Sequence, residues 1–405
     1  MSPDVIVVGA RCAGSPLAMM LAQKGHRVVV FDQASFPSEC LSTHLIWPPG
    51  VAALHRWRLW NQVSEARPGI CHRGLTYMPG GTLDGPWHPV EGVNYTVNIR
   101  RIKLDLILVE AARAAGADVR EASVIDGLLR EGERVVGVTG VYKKTGRRFE
   151  ERAVIIVGAD GPRSSVAKLA AALVYNSFPS LTVTYYRYVR DLECDPDVDE
   201  LYTYPPREYL FSPTDDGLTV VNLVLSRKLA EEFRGNVDHN FYREFDLQPH
   251  LGQRLRKSTP VGHIRGVLDQ PNFYRRSYGP GWALLGDAAH TKDPIRAQGI
   301  TDAFLDAEAL ASALDDVLCH RRSECDALRE FEAAKVKRTE FPYQLCLRAA
   351  RFEYPSVEQT KSFLKRIGNK PSAIAELRGL VAGSMMPEIF YDPRHQATLL
   401  GEHVS

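Results

Sequence analysis

The chain has 405 residues, 44% of them hydrophobic and 24% charged, with a net charge of +1. That length allows two or three structural units with large cores, and the near-zero charge carries neither a nucleic-acid footprint nor a field for drawing in acidic substrates. No apolar run approaches a membrane span, and a strand begins at Val5 with no signal peptide before it, so we expect a cytoplasmic protein without nucleic-acid or membrane partners. Seven scattered cysteines with no Cys-x-x-Cys pair fit a reducing compartment. We expect no metal: Cys40 and His44 fall short of a zinc set, and Cys319, His320 and Cys325 read as helix-surface residues.

Residues 4–33 form a βαβ unit. Val5 to Val8 read as a fully buried strand, a glycine-bearing turn follows, and Leu17, Met20 and Leu21 make a helical apolar stripe closed by Gly25. A second strand ends in Asp32. Gly9 makes the tight turn, Gly14 opens the helix whose free N–H groups suit a pyrophosphate, and Asp32 is placed to accept a ribose hydroxyl. Arg11 stands where this pattern has its second glycine. Either its side chain crowds the phosphates or its guanidinium helps to neutralise them.

Residues 39–50, "ECLSTHLIWPPG", form a loop. Residues 104–114 read as a helix. A meander follows, with strands over 134–141 and 147–157 and a Lys144-Thr145-Gly146 turn. It ends at Asp160-Gly161. Residues 173–276 change to a period of two, with strands over 181–189, 208–212 and 218–226 and a hairpin turn at Asp215-Asp216-Gly217. Tyr185, Tyr186, Tyr188, Tyr202, Tyr204 and Tyr209 crowd this region. Each reads first as a good strand residue and second as a lining for an aromatic or apolar pocket. The stretch "LLGDAAHTKDPIRAQGITDAFLDAEALA" (284–311) ends a strand in Gly286-Asp287, turns through Pro294 and Gln298-Gly299, and enters a helix at Ile300. Residues 323–352 read as a long helix with Glu332, Lys335, Lys337 and Arg338 on a solvated face.

A meander within a βαβ domain, with the three glycine-acid motifs in this order, resembles the class A flavoprotein monooxygenases of the p-hydroxybenzoate hydroxylase type, and is similar to geranylgeranyl-reductase-like flavoproteins. The resemblance covers residues 5 to about 314. It implies an α/β fold: a two-dinucleotide-binding (Rossmann-like, GR2-type) FAD domain (1–70, 97–172, 277–322), an inserted antiparallel-sheet substrate domain (71–96, 173–276) and a helical C-terminal region (323–405).

It also implies FAD as cofactor, NAD(P)H as transient reductant, and hydroxylation of an aromatic or polyketide-like small molecule through a flavin C4a-hydroperoxide. Gly9, Arg11, Ala13, Gly14 and Asp32 are the expected nucleotide contacts, with Arg101 near the phosphates and Val124 at the head of the meander. Asp160 and Gly161 match the Asp-Gly motif, and Asp287 matches the residue that holds the ribityl chain. Pro294, Gln298, Gly299 and Ile300 would pass the ring edge, where the helix N-terminus stabilises reduced flavin. Thr43 and His44 are the ring-facing candidates, His44 as a general base because its ordinary pKa lies near neutrality. Arg296 is open to three roles: the flavin edge, an anionic substrate group, or solvent. The rival functions are a dehydrogenase or ene reductase on the same scaffold and a non-catalytic binding protein. Halogenation is disfavoured because the Trp-x-Trp-x-Ile-Pro signature is absent.

Overall fold

The computed structural model describes residues 2–42, 44–233, 235–368 and 370–401, so the candidate Thr43 lies outside the described residues. Val5–Val8 runs near the middle of a six-stranded sheet in the order Tyr278–Gly279, Trp282–Leu284, Ile155–Gly158, Val5–Val8, Val28–Phe31, Asp118–Arg120. All neighbours are parallel except the first pair. The unbroken apolar run of Val5–Val8 follows from burial on both faces. Val5 and Val7 join Leu17, Leu104 and Phe304 in one core, which places the helices Gly14–Gln23, Arg101–Ala114 and Gly299–Leu318 on that side. Ile6 and Val8 pack on the other side with Ile125, Val135 and Val138 of the meander.

The meander is a three-stranded antiparallel sheet of Ser123–Glu131, Arg134–Tyr142 and Arg148–Arg152. The single strand expected over 147–157 is two. Arg148–Arg152 alternates in burial and pairs within the meander, while Ile155–Gly158 is wholly buried and pairs with Val5–Val8 in the other sheet. The chain changes sheets at Ala153-Val154, where the pattern changes from alternating to continuous.

A seven-stranded sheet runs Thr259–Val267, Thr182–Arg190, Thr219–Ser226, Arg207–Pro213, Val198–Tyr204, Arg73–Met78, Gly81–Pro86. Asp215–Gly217 makes the expected turn between two of its strands. One face, through Tyr185, Tyr209, Phe211, Val221 and Leu223, forms a core with Phe241, Phe245 and Leu251 from the helices Val237–Asp246 and Pro249–Lys257. The alternate residues Thr184, Tyr186 and Tyr188 take the opposite face.

The C-terminal part is helical: Glu324–Ala350, Val357–Ile367, Pro371–Ala382, Pro387–Phe390 and Pro393–Leu400. The solvated face expected on its long helix is only partly solvated. Lys335 is 2% exposed, with its ammonium on Ser277 Oγ. Arg338 pairs with Asp302 at 3.2 Å and with Asp306, and Glu332 accepts the Ser277 N–H at 2.6 Å. Of the four residues only Lys337 is exposed. The helix lies against Gly299–Leu318, whose acids supply the partners that sequence spacing could not reveal.

Candidate functional site

The glycine-bearing turn meets the end of the meander so closely that it needs glycine. Gly9 has φ +107°, and a Cβ there would sit 2.4 Å from Ala159 O. A Cβ on Gly14 would sit 1.8 Å from Gly9 O, so this glycine lets the helix start pack against the turn. Between this turn, the meander and the seven-stranded sheet lies a cleft of about 1080 Å³. That lies at the upper edge of the usual pocket for one ligand, roughly 300–1,000 Å³, and suits a large cofactor.

Gly9, Arg11, Ala13, Asp32 and Val124 line one end. Asp32 Oδ2 accepts from Ala10 N at 2.7 Å and Oδ1 from Ala34 N at 2.8 Å, so the carboxylate first fixes the turn and keeps its remaining lone pairs for a ligand. Arg11 donates to Asp105 Oδ2 at 2.6 Å and Ser38 Oγ at 2.9 Å. Arg101 holds the same fully buried carboxylate through Nε at 2.8 Å. Two guanidiniums on one carboxylate leave a net positive charge beside the cleft, which both arginines line. Arg11 therefore turns sideways and does not block the turn.

Asp160 and Gly161 line the middle of the cleft. Asp160 Oδ2 accepts from Ser165 N and Oγ, each at 2.7 Å, and Oδ1 has no partner. At the other end stand Asp287, Pro294, Gln298, Gly299 and Ile300. No protein hydrogen bond is made to the Asp287 carboxylate among the described residues; its Oδ1 faces Gly299, with 3.9 Å to a Cβ placed there. Burial raises its pKa to about 6 against the pull of Arg101. The helix Gly299–Leu318 has no side-chain cap at its N-terminus, so its first N–H groups are free to act on a ligand at this end.

His44 is a correction. It is 1% exposed, is not in the cleft wall, and its Nε2 lies 2.5 Å from Tyr188 Oη. Burial, then Arg101, pushes its pKa down to about 3. It is therefore a neutral, buried imidazole and not the near-neutral base expected. Arg296 meets none of its three expectations: it is paired in the interior with Glu208 and lies 3.4 Å from Tyr354 Oη. Of the six tyrosines only Tyr186 lines the cleft.

Orphaned polar atoms show what the cleft is built to receive. Asp160 Oδ1, Thr184 Oγ1, His290 Nε2, Lys292 Nζ and Gln298 Oε1 are buried without a hydrogen-bond partner, and all five residues line it. Lys292 Nζ lies 2.7 Å from Asp302 but outside hydrogen-bond geometry. Each such group costs about 1–3 kcal/mol unless a ligand satisfies it. His290 and Lys292 lie within the 284–311 stretch without being singled out there, and Thr184 reaches the cleft wall only through the fold. A long cleft with acids for hydroxyls, arginines for phosphates and a free helix N-terminus at its far end fits FAD. Elsewhere His26, Asp315 and Cys319 cluster, but Asp315 is already matched by Lys24, His26 and Arg321.

The FAD binding domain family model matches residues 2–334. The chain belongs to this family of class A FAD-dependent flavoproteins. It is an FAD-dependent oxidoreductase. It is 26% identical over 404 residues to kynurenine 3-monooxygenase of Salinispora tropica, covering 92% of this chain and 83% of that one. It is also 26% identical over 308 residues to digeranylgeranylglycerophospholipid reductase of Methanocella arvoryzae, covering 74% of each. The structure of the myxobacterial chondrochloren halogenase CndH shares the fold, with a TM-score of 0.79, 24% identity and coverage of 98% and 96%. No helix among the described residues is long and apolar enough to cross a membrane.

Proposed function

We propose that this flavoprotein is a monooxygenase that draws electrons from NAD(P)H and hydroxylates an aromatic or polyketide-like small molecule. The observation that carries the reading is the partnerless Asp287 carboxylate beside the uncapped N-terminus of Gly299–Leu318, within a cleft of about 1080 Å³. FAD, when bound, supplies the two-electron transfer and the activation of oxygen.

The chain supplies position and charge. Asp287 and Asp160 would accept cofactor hydroxyls. Arg101 and Arg11, held by Asp105, would face the phosphates. The free N–H groups of the Gly299–Leu318 helix would favour negative charge at the ring end. Pro294 and Ala297 narrow that end, and the sheet residues Thr184 and Tyr186 close it from above. In this reading residues 1–70, 97–172 and 277–322 form the cofactor domain and 71–96 with 173–276 the substrate domain.

The reductase named among the relatives keeps hydrogen transfer without oxygen insertion as the second reading. Halogenation is set aside because the Trp-x-Trp-x-Ile-Pro signature is missing. The test is an absorbance spectrum of the purified protein, then anaerobic NADPH, then air with candidate aromatic substrates. Bleaching followed by substrate that has gained oxygen supports the monooxygenase. Reoxidation with peroxide release, while substrate changes only in hydrogen, supports the reductase. A protein that takes up no FAD overturns both.

A further inference from the structure

One of the orphaned atoms carries a full charge. Lys292 follows the short strand His290–Thr291 and lines the cleft at the Asp287 end. Its side chain is 5% exposed, its ion pair is with Asp302 Oδ2 at 2.7 Å, and no acceptor meets its Nζ in hydrogen-bond geometry. An ammonium has three N–H donors, and a charge taken out of water is costly unless it is both paired and hydrogen-bonded.

Asp302 does not depend on this lysine. It lies in the first turn of Gly299–Leu318 and accepts from Arg338 Nη1 at 3.2 Å, and Arg338, on the long helix Glu324–Ala350, also holds Asp306. His290, two residues before Lys292, adds no charge. Its ring stacks on Tyr274 at 4.3 Å, its Nε2 is buried without a partner, and burial, then Lys292, pushes its pKa well below the ordinary value. A buried ammonium with unused donors therefore stands at the same end of the cleft as the uncapped helix N-terminus.

We infer that Lys292 is the cation that the cleft sets against negative charge on the ring of bound FAD, so that it favours the reduced cofactor over the oxidised one. The inference rests on the reading that FAD fills the cleft with its ring at this end. The oxidised ring is neutral and gains negative charge on reduction, and a cation in a site shielded from water stabilises the charged form far more than the neutral one. Asp302, against the same ammonium, opposes that effect and limits it.

The test uses the FAD-loaded protein without substrate: wild type, Lys292→Met, Lys292→Arg and Asp302→Asn. The two-electron midpoint potential is read by anaerobic titration against a reference dye, and FAD content is measured on the same samples. Lys292→Met removes the charge, nearly keeps the volume and leaves Asp302 to Arg338. Its preference for reduced over oxidised FAD is expected to fall about tenfold, a shift of about 30 mV to more negative potential for two electrons. Lys292→Arg should restore most of the wild-type value. Asp302→Asn removes the opposing charge while Arg338 keeps Asp306, and should move the potential the other way. An ion pair with a purely structural role predicts shifts of one sign from Lys292→Met and Asp302→Asn, and that result overturns the inference. A potential that Lys292→Met leaves unmoved also overturns it, and points to a lysine kept for an anionic substrate. Should Lys292→Met fail to fold, the near-isosteric Asp302→Asn carries the test, and a potential that does not rise overturns the inference. Protein that holds no FAD overturns the cofactor reading, whereas FAD-loaded protein with an unshifted potential overturns only this inference.

Discussion

His44 Nε2 and Tyr188 Oη, 144 residues apart in sequence, share a 2.5 Å hydrogen bond in the interior, with the two rings stacked at 5.6 Å. His44 also has φ +71°, a left-handed conformation that asparagine tolerates and β-branched residues do not. His44→Asn should therefore stay folded and lose about 1–2 kcal/mol, the value of the hydrogen bond and packing. His44→Val should lose more, by a further ~1–2 kcal/mol of backbone strain. Denaturant melts of the two variants check the order. Both should still bind FAD, because His44 is buried against Tyr188; loss of FAD from a folded His44→Asn would return the residue to the site.

Asp105 organises both arginines near the expected phosphates. Removing the carboxylate by Asp105→Ala leaves Arg101 buried and unpaired, a change worth about 3–5 kcal/mol. Arg11→Gly leaves Arg101 still matched to Asp105 and removes a partly exposed charge, so its stability cost should be about 1 kcal/mol or less. FAD affinity of Arg11→Gly should fall about three- to tenfold, and the loss should shrink at high salt. Isothermal titration at two ionic strengths checks both. An unchanged or tighter affinity removes Arg11 from the phosphate site.

The parts of the site carried by local patterning were legible before the fold. Val5–Val8, Gly9, Asp160-Gly161 and Gly286-Asp287 each announce a turn, a close approach or a strand end within a few residues. What escaped the sequence depends on partners far along the chain. Lys335 and Arg338 have the spacing of a solvated helix face, yet Lys335 is buried and Arg338 half-buried because Ser277, Asp302 and Asp306 lie opposite them. Tyr185 and Tyr186 are the same residue type one position apart. Only sheet register sends one onto Phe233 and the other into the cleft. His44 is a candidate base in the sequence because its ordinary pKa lies near neutrality, and the sheet that buries it and lowers that pKa is a later segment.

Arg275 joins the two acid motifs. Its Nη1 donates to Ala288 O at 2.9 Å and its Nη2 to Pro162 O at 3.0 Å, the residues just after Asp287 and Gly161. A lysine ammonium lacks the fixed planar fork and the reach with which the guanidinium spans the two carbonyls. Arg275→Lys and Arg275→Met should both lose about 2–3 kcal/mol of apo-protein stability. Both should also weaken FAD by about tenfold, because the paired carboxylates lose their register. Thermal melts with and without FAD separate the two effects: equal destabilisation in both conditions would make the residue a structural staple alone.

Asp287 sets a pH dependence of definite sign. Its pKa is raised to about 6 from an ordinary 3.8, first by burial. A carboxyl raised on folding holds its proton more tightly in the native state, so the apo-protein loses stability as pH rises from about 4 through 6, by up to roughly 3 kcal/mol. Asp287→Asn should flatten that part of the profile and leave the apo-protein more stable than wild type at pH 8. It should also weaken FAD, since an amide is a poorer acceptor for ribityl hydroxyls than a carboxylate. A residue that stabilises the empty protein when removed, while the cofactor binds worse, is one whose cost is met by the ligand. Melting curves of both apo-proteins from pH 4 to 8 check this, and parallel curves would mean that Asp287 already has its partner inside the chain.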